Sequence, residues 1–213
     1  MRKTFDAELA ELGQELTSMA LSARDAIDVV TDSLTTGDEG GARNAISMSA
    51  SMDQMERDIE NRCLRLLLRQ QPVARDLRTI STALKMVTDL QRIGDQAANI
   101  GEISLLLTRQ NNAIHVPSDI GTMAKKAGLM VRQATAAYTD RDVETARGVI
   151  NLDDEVDELF QTVKRELIER IKENRADDDQ AVDLIIIAKY LERVADHAVN
   201  IAQWAIFCVT GEL

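Results

Sequence analysis

The sequence predicts an all-α protein built from two tandem, pseudo-symmetric antiparallel three-helix bundles, with six long helices in total. The composition supports helices: 45% of the 213 residues are hydrophobic, 3% are aromatic, and there are two prolines and ten glycines. Such a composition favours helices over β-sheets and is typical of a globular rather than a disordered protein. An internal repeat indicates the bundles, because residues 90–100 recur as residues 191–201, an offset of 101 positions.

The repeat lies in the third and sixth predicted helices. The first copy reads LQRIGDQAANI and the second reads LERVADHAVNI. The same offset relates Asp53 to Asp154 and Glu56 to Asp157, so the duplication extends beyond the motif. A repeat of this length is too long for a short-period solenoid and is more typical of a duplicated bundle. Because short turns make neighbouring helices antiparallel, each half should run up, down and up.

Apolar residues that recur at steps of three and four predict each helix. The predicted helices span residues 4–35, 42–70, 74–109, 119–138, 141–173 and 180–209. Glycines within residues 36–41 break the first helix. Pro72 ends the second, because the residue before a proline is pushed out of the helical region. Asp140 is predicted to cap the fifth helix, and a polar turn at residues 174–179 precedes the sixth.

The clearest break in the chain is residues 111–118, which contain turn residues and the second proline. This break predicts a boundary between a first repeat, residues 1–112, and a second repeat, residues 118–213. Each repeat then contains three of the six predicted helices.

The net charge and the apolar runs limit the classes of function. The formal net charge is −11 and the sequence shows no basic stripe, which argues against a nucleic-acid partner. No apolar run follows the N-terminus, and residues 184–188, the strongest apolar run, are too short to span a bilayer. We therefore expect a cytoplasmic protein. Cys63 and Cys208 match no ligand spacing and are expected to be buried small hydrophobic residues.

Polar residues spaced four apart line one face of each copy of the repeat. They are Gln91, Asp95 and Asn99 in the first copy, and Glu192, Asp196 and Asn200 in the second. The third and sixth helices are apolar nearly all round, so carboxylates on them are hard to explain as solvated surface. A buried ionised carboxylate is costly unless it is paired or bound to a metal. One interpretation is an ion-pair ladder, with Arg92 before Asp95 and Arg193 before Asp196.

The other interpretation is a metal site, because helical bundles hold metal ions with carboxylates from facing helices. The candidate ligands lie on the second, third, fifth and sixth helices: Glu56, Glu60, Asp95, Asp153, Asp157, Glu192 and Asp196. Oxygen-only ligands suit hard or borderline cations. An amide is a poor metal ligand, so Gln91 makes the first copy the weaker candidate and Glu192 makes the second copy the stronger one.

Catalysis finds less support in the sequence. There is no His/Cys or Ser/His grouping and no glycine-rich phosphate loop. His115 is expected at the surface, and His197 is expected either to donate a hydrogen bond near a metal or to be packed. We therefore predict that the protein is not an enzyme. The alternative is a carboxylate-bridged metal-binding helical-bundle enzyme of the ferritin-like kind, but no Glu-x-x-His pair occurs near either motif.

Four stretches resemble the PhoU family, the phosphate-specific transport system accessory proteins. They are residues 69–78 (RQQPVARDLR), 89–95 (DLQRIGD), 153–157 (DDEVD) and 191–201 (LERVADHAVNI). The first is similar to the family's turn between helices two and three, and the third to the start of its fifth helix. The second and fourth are similar to its paired acidic motifs. The resemblance covers the whole chain in order and length.

The resemblance implies two three-helix bundles with pseudo-two-fold symmetry, and multinuclear iron or zinc clusters at the acidic motifs of some members. It also implies a negative regulator of the phosphate-starvation response. That regulator acts between the ATPase of the phosphate ABC transporter and a membrane sensor histidine kinase, which it keeps in its phosphatase mode when phosphate is plentiful. A homodimer that reaches the membrane only through its partners is implied as well. Gln91 departs from the family's motif, so the resemblance favours Glu192 and Asp196 as the metal site.

Overall fold

The structure, a computed structural model, describes residues 2–109, 115–173 and 178–212. Within those ranges the chain forms six long helices and no strand. They are α1 (Arg2–Thr36), α2 (Glu39–Gln70), α3 (Arg75–Arg109), α4 (Ser118–Asp140), α5 (Val143–Glu173) and α6 (Asp178–Thr210). Each predicted helix is present within three residues of its predicted ends, so the all-α prediction is confirmed. No helix in these ranges combines the length and apolar character needed to cross a bilayer.

The turn between α1 and α2 is shorter than the sequence predicted. Gly37 adopts a positive φ of 69°, which glycine tolerates without steric cost. The Asp38 carboxylate accepts the backbone N–H groups of Gly40 at 2.9 Å and Gly41 at 3.1 Å. This N-cap lets α2 begin at Glu39, so the two following glycines lie inside the helix rather than in the break.

The cap of α5 is Asp142 and not Asp140, as the sequence had predicted. Asp142 Oδ1 accepts the N–H groups of Glu144 and Thr145, and its Oδ2 accepts the Thr145 hydroxyl at 2.6 Å. The bond from the Thr145 hydroxyl is the main reason that the pKa of Asp142 is lowered. Asp140 is instead the last residue of α4, and Arg141 reverses the chain with a positive φ of 58°.

The two bundles share a hydrophobic core. In each half the three helices pack against one another, α1 with α2 and α3, and α4 with α5 and α6. Across the halves, α3 packs on α6 and α1 packs on α4. These four helices form a central layer, and α2 and α5 lie outside it. The prediction of two tandem three-helix bundles is therefore confirmed, with buried apolar side chains continuous across both.

Helices α3 and α6 run antiparallel through the middle of the molecule. Thr79 near the start of α3 lies 3.7 Å from Cys208 near the end of α6, measured between Oγ1 and Sγ. Further along, Asp89 Oδ1 lies 2.9 Å from His197 Nδ1. The two copies of the repeated motif are consequently side by side, and Ile93 at the centre is fully buried.

Two predicted breaks lie partly outside the described residues. The predicted boundary at residues 111–118 includes residues 111–114, and the polar turn at 174–179 includes residues 174–177. Helix α3 ends at Arg109, so the exact boundary between the repeats stays a prediction.

Candidate functional site

The first acidic cluster lies where α2 packs on α3. Helical spacing puts Asp53, Glu56 and Glu60 near one face of α2, and Gln91 and Asp95 four apart on α3. Gln91 Nε2 donates hydrogen bonds to Asp53 Oδ1 at 3.0 Å and to Asp95 Oδ1 at 2.9 Å. The residue predicted to weaken a metal site therefore acts as an amide bridge between carboxylates of two helices.

An arginine also neutralises the first cluster in part. Arg92 Nη1 lies 3.6 Å from Asp95 Oδ2, so the ion pair predicted from their spacing is present in this copy. Burial raises the pKa of Glu56. The negative charges of Glu60 and Asp53 raise the pKa of Glu56 further, and the positive charge of Arg92 lowers it. The first copy is thus a carboxylate network held together by one amide and one arginine; the ion-pair interpretation included the arginine but not the amide bridge.

The second acidic cluster lies between α5 and α6. It contains Asp153 and Asp157 on α5, and Glu192 and Asp196 on α6. Where the first copy has the bridging amide of Gln91, this copy has a carboxylate, that of Glu192. The ammonium of Lys189, one turn earlier on α6, forms an ion pair with the Glu192 carboxylate.

Two predictions about the second copy are wrong. Arg193 and Asp196 are both described, but the Arg193 guanidinium lies over the ring of Tyr190, 5.7 Å from its centroid, instead of pairing with the aspartate. The cation that pairs with an acid of this cluster is Lys189. Asp196 is also exposed, although the apolar character of α6 had argued against solvated carboxylates. Although α3, α4 and α5 pack against α6, they leave the strip of α6 that contains Asp196 exposed to solvent.

Asp153 is the most perturbed acid of the second cluster. Its Oδ1 is buried and has no hydrogen-bond partner in the described part of the chain. Burial, followed by repulsion from Asp157 and Asp196, raises the pKa of Asp153 to about 6. Burial also raises the pKa of Asp157, and Glu192 and Asp196 raise it further. Repulsion among the carboxylates of the second cluster therefore favours the binding of a proton or a cation there.

The two clusters differ in how well they suit a metal ion. Among the described residues, no group of three or more Asp, Glu, His or Cys side chains is arranged to hold one. In the first cluster an amide already satisfies two carboxylates, which does not fit a metal site. In the second, oxygen-only donors and the orphaned oxygen of Asp153 fit a hard or borderline cation by their chemistry. The seven candidate ligands therefore stay a prediction.

The replacement Asp153→Asn should raise the free energy of unfolding at pH 7.5 and leave it unchanged at pH 3. The folded-state pKa of about 6 exceeds the ordinary value of 3.8, so the folded state binds this proton more tightly than the unfolded state. Stability contributed by the protonated Asp153 is therefore present below pH 3.8 and is lost as the pH rises through 6. Asparagine does not ionise and avoids that loss.

Urea denaturation of both proteins at the two pH values measures this effect. We expect a gain of up to about 1 kcal/mol at pH 7.5, because solvent screens a half-exposed group. The exposed neighbour provides a control, and Asp154→Asn should gain less. An equal gain for Asp153→Asn at both pH values would show that ionisation is not its cause.

A polar contact between the two halves was not found from the sequence. His197 Nδ1 lies 2.9 Å from Asp89 Oδ1, and Asn200 Nδ2 donates to the same oxygen at 3.2 Å. His197 thus contacts a carboxylate that was not among the candidate ligands, and it holds α6 in register with α3. His197 and Asn200 belong to the second copy of the motif and Asp89 directly precedes the first copy, but spacing within one helix cannot relate positions that far apart in sequence.

The outcomes for the other residues singled out in the sequence are simple. Cys63 and Cys208 are buried, as predicted, and burial raises the pKa of Cys63 to about 12. His115 is exposed, as predicted, and its carbonyl oxygen accepts a hydrogen bond from Arg170 Nη1 at 2.8 Å. None of the three forms part of either acidic cluster.

A cavity of about 550 Å³ opens between α1, α3, α4 and α6 at one end of the central layer. Thr79 organises the polar groups on its wall. Tyr138 Oη donates to the Thr79 carbonyl oxygen at 3.0 Å, and Arg141 Nη2 donates to its hydroxyl at 3.2 Å. Because these groups already bond to one another, the acidic clusters remain the better candidates for a functional site.

Comparison with known proteins places this architecture in a family. The family model of the PhoU domain matches the chain twice, at residues 16–104 and at residues 120–205. The chain belongs to the PhoU family. The two matches correspond to the two copies of the three-helix unit, so the family resemblance noted in the motifs is confirmed.

Relatives of the family match over nearly the whole chain. A phosphate-specific transport system accessory protein PhoU homolog of Clostridium acetobutylicum is 35% identical, over 99% of this chain and 96% of its own. The crystal structure of PhoU from Pseudomonas aeruginosa has a TM-score of 0.92 and 31% identity, and the match covers 98% of this chain and 100% of that one. The phosphate transport system regulatory protein PhoU from Streptococcus pneumoniae has a TM-score of 0.87 and 26% identity, with 98% of each chain covered.

Proposed function

We propose that this PhoU-family protein is a cytoplasmic accessory protein of phosphate uptake. In this proposal it represses the phosphate-starvation response by linking the ATPase of the phosphate ABC transporter to a sensor histidine kinase. The observation that carries the proposal is the match of both repeats, over nearly the whole chain, to relatives named as phosphate transport accessory proteins. The protein acts as a homodimer and not as an enzyme, and it reaches the membrane only through its partners.

The duplicated fold supports an adaptor role. Helices α2 and α5 lie outside the central layer, so each half offers an outer surface of related shape. The contact of Asp89 with His197 and Asn200 holds the two halves in a fixed relation. In this proposal each half holds one partner, and the shared core joins the two partner-binding surfaces.

We also propose that the second acidic cluster binds iron or zinc. Asp153, Asp157, Glu192 and Asp196 would hold the metal, as a single ion or as a cluster. When bound, the metal supplies positive charge that offsets the repulsion raising the pKa of Asp153. Lys189 already supplies one positive charge to this cluster through Glu192. The amide bridge of Gln91 makes the first cluster the weaker site.

Deletion of the gene, together with co-purification, tests the adaptor role. In phosphate-rich medium the deletion strain should express phosphate-uptake genes that the parent strain represses. The tagged protein should co-purify with the transporter ATPase or the kinase. Repeated absence of both partners, with the genes still repressed in the deletion strain, would contradict the proposal.

Metal analysis tests the second cluster separately. The purified protein loaded with Fe²⁺ or Zn²⁺ should retain metal after desalting, and the double variant Glu192→Ala/Asp196→Ala should retain much less. Gln91→Ala/Asp95→Ala changes the equivalent two positions of the first cluster, so it is the matched control and should retain as much metal as the wild type. A wild type that keeps no metal under any loading would leave only the ion-pair interpretation.

A further inference from the structure

Four apolar side chains are exposed around the turn that connects α2 to α3. Leu68 is 80% exposed, Val73 75%, Leu64 51% and Leu77 44%. Leu64 and Leu68 are four apart and share one face of α2, while Val73 lies in the turn and Leu77 in the first turn of α3. A cluster of exposed apolar side chains on a folded protein commonly marks an interaction site.

The same segment is strongly basic, although the chain as a whole is acidic. Residues 61–81 contain five arginines and one aspartate, a net charge of +4, against −11 for the whole chain. Arg62 is used internally, since it pairs with Glu11 and Glu15 on α1, each at 2.7 Å. Arg65, Arg69 and Arg75 are exposed in the same segment as the apolar side chains, whereas Arg78 is half-buried.

Three of these arginines are exposed and complete the surface. We call it the arginine–leucine tip, and it consists of Leu64, Leu68, Val73, Leu77, Arg65, Arg69 and Arg75. All of its cations are arginines, and arginine is enriched in protein interfaces whereas lysine is depleted. The tip was missed in the sequence because the overall charge is acidic and because a helical pattern does not show which apolar residues remain uncovered.

The second half of the molecule shows that the fold does not require the tip. At the offset of 101, the positions of Leu64 and Leu68 are taken by Arg165 and Glu169, which are exposed on α5. The matching segment, residues 162–182, contains five basic and six acidic residues, a net charge of −1. The second bundle thus forms its three helices with charged residues at the positions of these two leucines. The leucines and unopposed arginines of the first half therefore point to a role in binding.

We propose that the arginine–leucine tip docks an acidic amphipathic helix of a partner protein. This inference rests on the proposed function, which supplies the partner. The apolar stripe of such a helix covers the leucines, and carboxylates beside the stripe pair with the exposed arginines. Charge complementarity selects this occupant. A second copy of the chain, docked tip to tip by a two-fold axis, would set arginines against arginines.

The test measures binding of the purified chain to the purified transporter ATPase and to the cytoplasmic part of the sensor kinase from the same organism. Two variants test the apolar surface and the positive charge of the tip separately. Leu68→Gln removes apolar surface, and Arg65→Glu reverses one charge. Each has a matched control far from the tip. Leu106→Gln changes a leucine that is 55% exposed near the other end of α3, and Arg132→Glu changes an exposed arginine on α4.

We expect both tip variants to bind at least one of the two proteins about tenfold more weakly, and both controls to bind as the wild type does. The wild-type affinity should also fall between about 50 and 300 mM salt, because added salt screens exposed charges. Circular dichroism and urea denaturation should show all four variants folded, since the changed side chains lie at the surface.

Each other outcome overturns a defined part of this account. If the wild type binds a partner and the tip variants bind equally well, the docking surface is wrong and the proposed function stands. If the wild type binds neither protein, the proposed function fails and the docking inference fails with it. Tip-dependent binding to phosphatidylglycerol vesicles without binding to either protein would replace the helix by a lipid surface. Tip-dependent self-association, measured by sedimentation, would replace it by a second copy.

Discussion

Replacing Gln91 by glutamate should lower the free energy of unfolding by about 3 kcal/mol at pH 7. The amide of Gln91 donates to Asp53 at 3.0 Å and to Asp95 at 2.9 Å. An ionised glutamate has no proton to donate, so both hydrogen bonds are lost. It also places a third negative charge between two carboxylates. Urea denaturation of both proteins at pH 7 measures this loss.

Two further variants separate the causes of that loss. Gln91→Ala removes the hydrogen bonds without adding charge, so its difference from Gln91→Glu measures the repulsion alone. Glu192→Gln is the reciprocal change, and it removes one carboxylate that raises the pKa of Asp153. We expect Glu192→Gln to move the pKa of Asp153 toward its ordinary value in an NMR titration. Equal losses for Gln91→Glu and Gln91→Ala would show that repulsion has no part in the first cluster.

Gly101→Ala should lower the free energy of unfolding by about 2 kcal/mol, although alanine is the better helix former by about 1 kcal/mol. A Cβ atom at Gly101 would lie 2.9 Å from the carbonyl oxygen of Ala42 and 3.1 Å from Ile46 Cγ1. The first of these atoms is backbone of α2, so the clash is relieved only by moving one helix away from the other. That movement would loosen the packing of the first bundle.

Two other glycines are controls for this prediction. At Gly94 the nearest atom is Met52 Sδ at 2.9 Å, which belongs to a flexible side chain, so Gly94→Ala should be close to neutral. At Gly148 no heavy atom lies within 4 Å, and Gly148→Ala should gain about 0.5–1 kcal/mol. Thermal and urea denaturation should therefore rank the variants by stability, with Gly148→Ala the most stable, Gly94→Ala next and Gly101→Ala the least stable. If Gly101→Ala gained as much stability as Gly148→Ala, α2 and α3 would have to pack farther apart in solution than they do in this structure.

The number and order of the helices could be predicted because apolar periodicity is a property of each segment alone. Helix α3, for example, was predicted from residue 74 to residue 109 and is found at Arg75–Arg109. The helix starts were less predictable. Asp140 and Asp142 are equally good capping residues in sequence, and only the backbone path decides whose carboxylate reaches the N–H groups of α5.

The candidate site divides in the same way. The Arg92–Asp95 pair could be predicted, because its two members are three apart on one helix. The pairing of Lys189 rather than Arg193 with the second cluster could not, because two cations on the same helix were available. The exposure of Asp196 was also missed, since it depends on which strip of α6 its neighbours cover.

By itself, the sequence determined the helices, the duplication, the family and the difference between Gln91 and Glu192, because these follow from residue types and from spacing along one chain. Only the tertiary structure decided that the amide of Gln91 bridges two helices and that Asp89 joins His197 across the halves. It also decided that the leucines of the arginine–leucine tip remain uncovered. These features arise where helices distant in sequence meet or fail to meet, and periodicity within one helix carries no information about its neighbours.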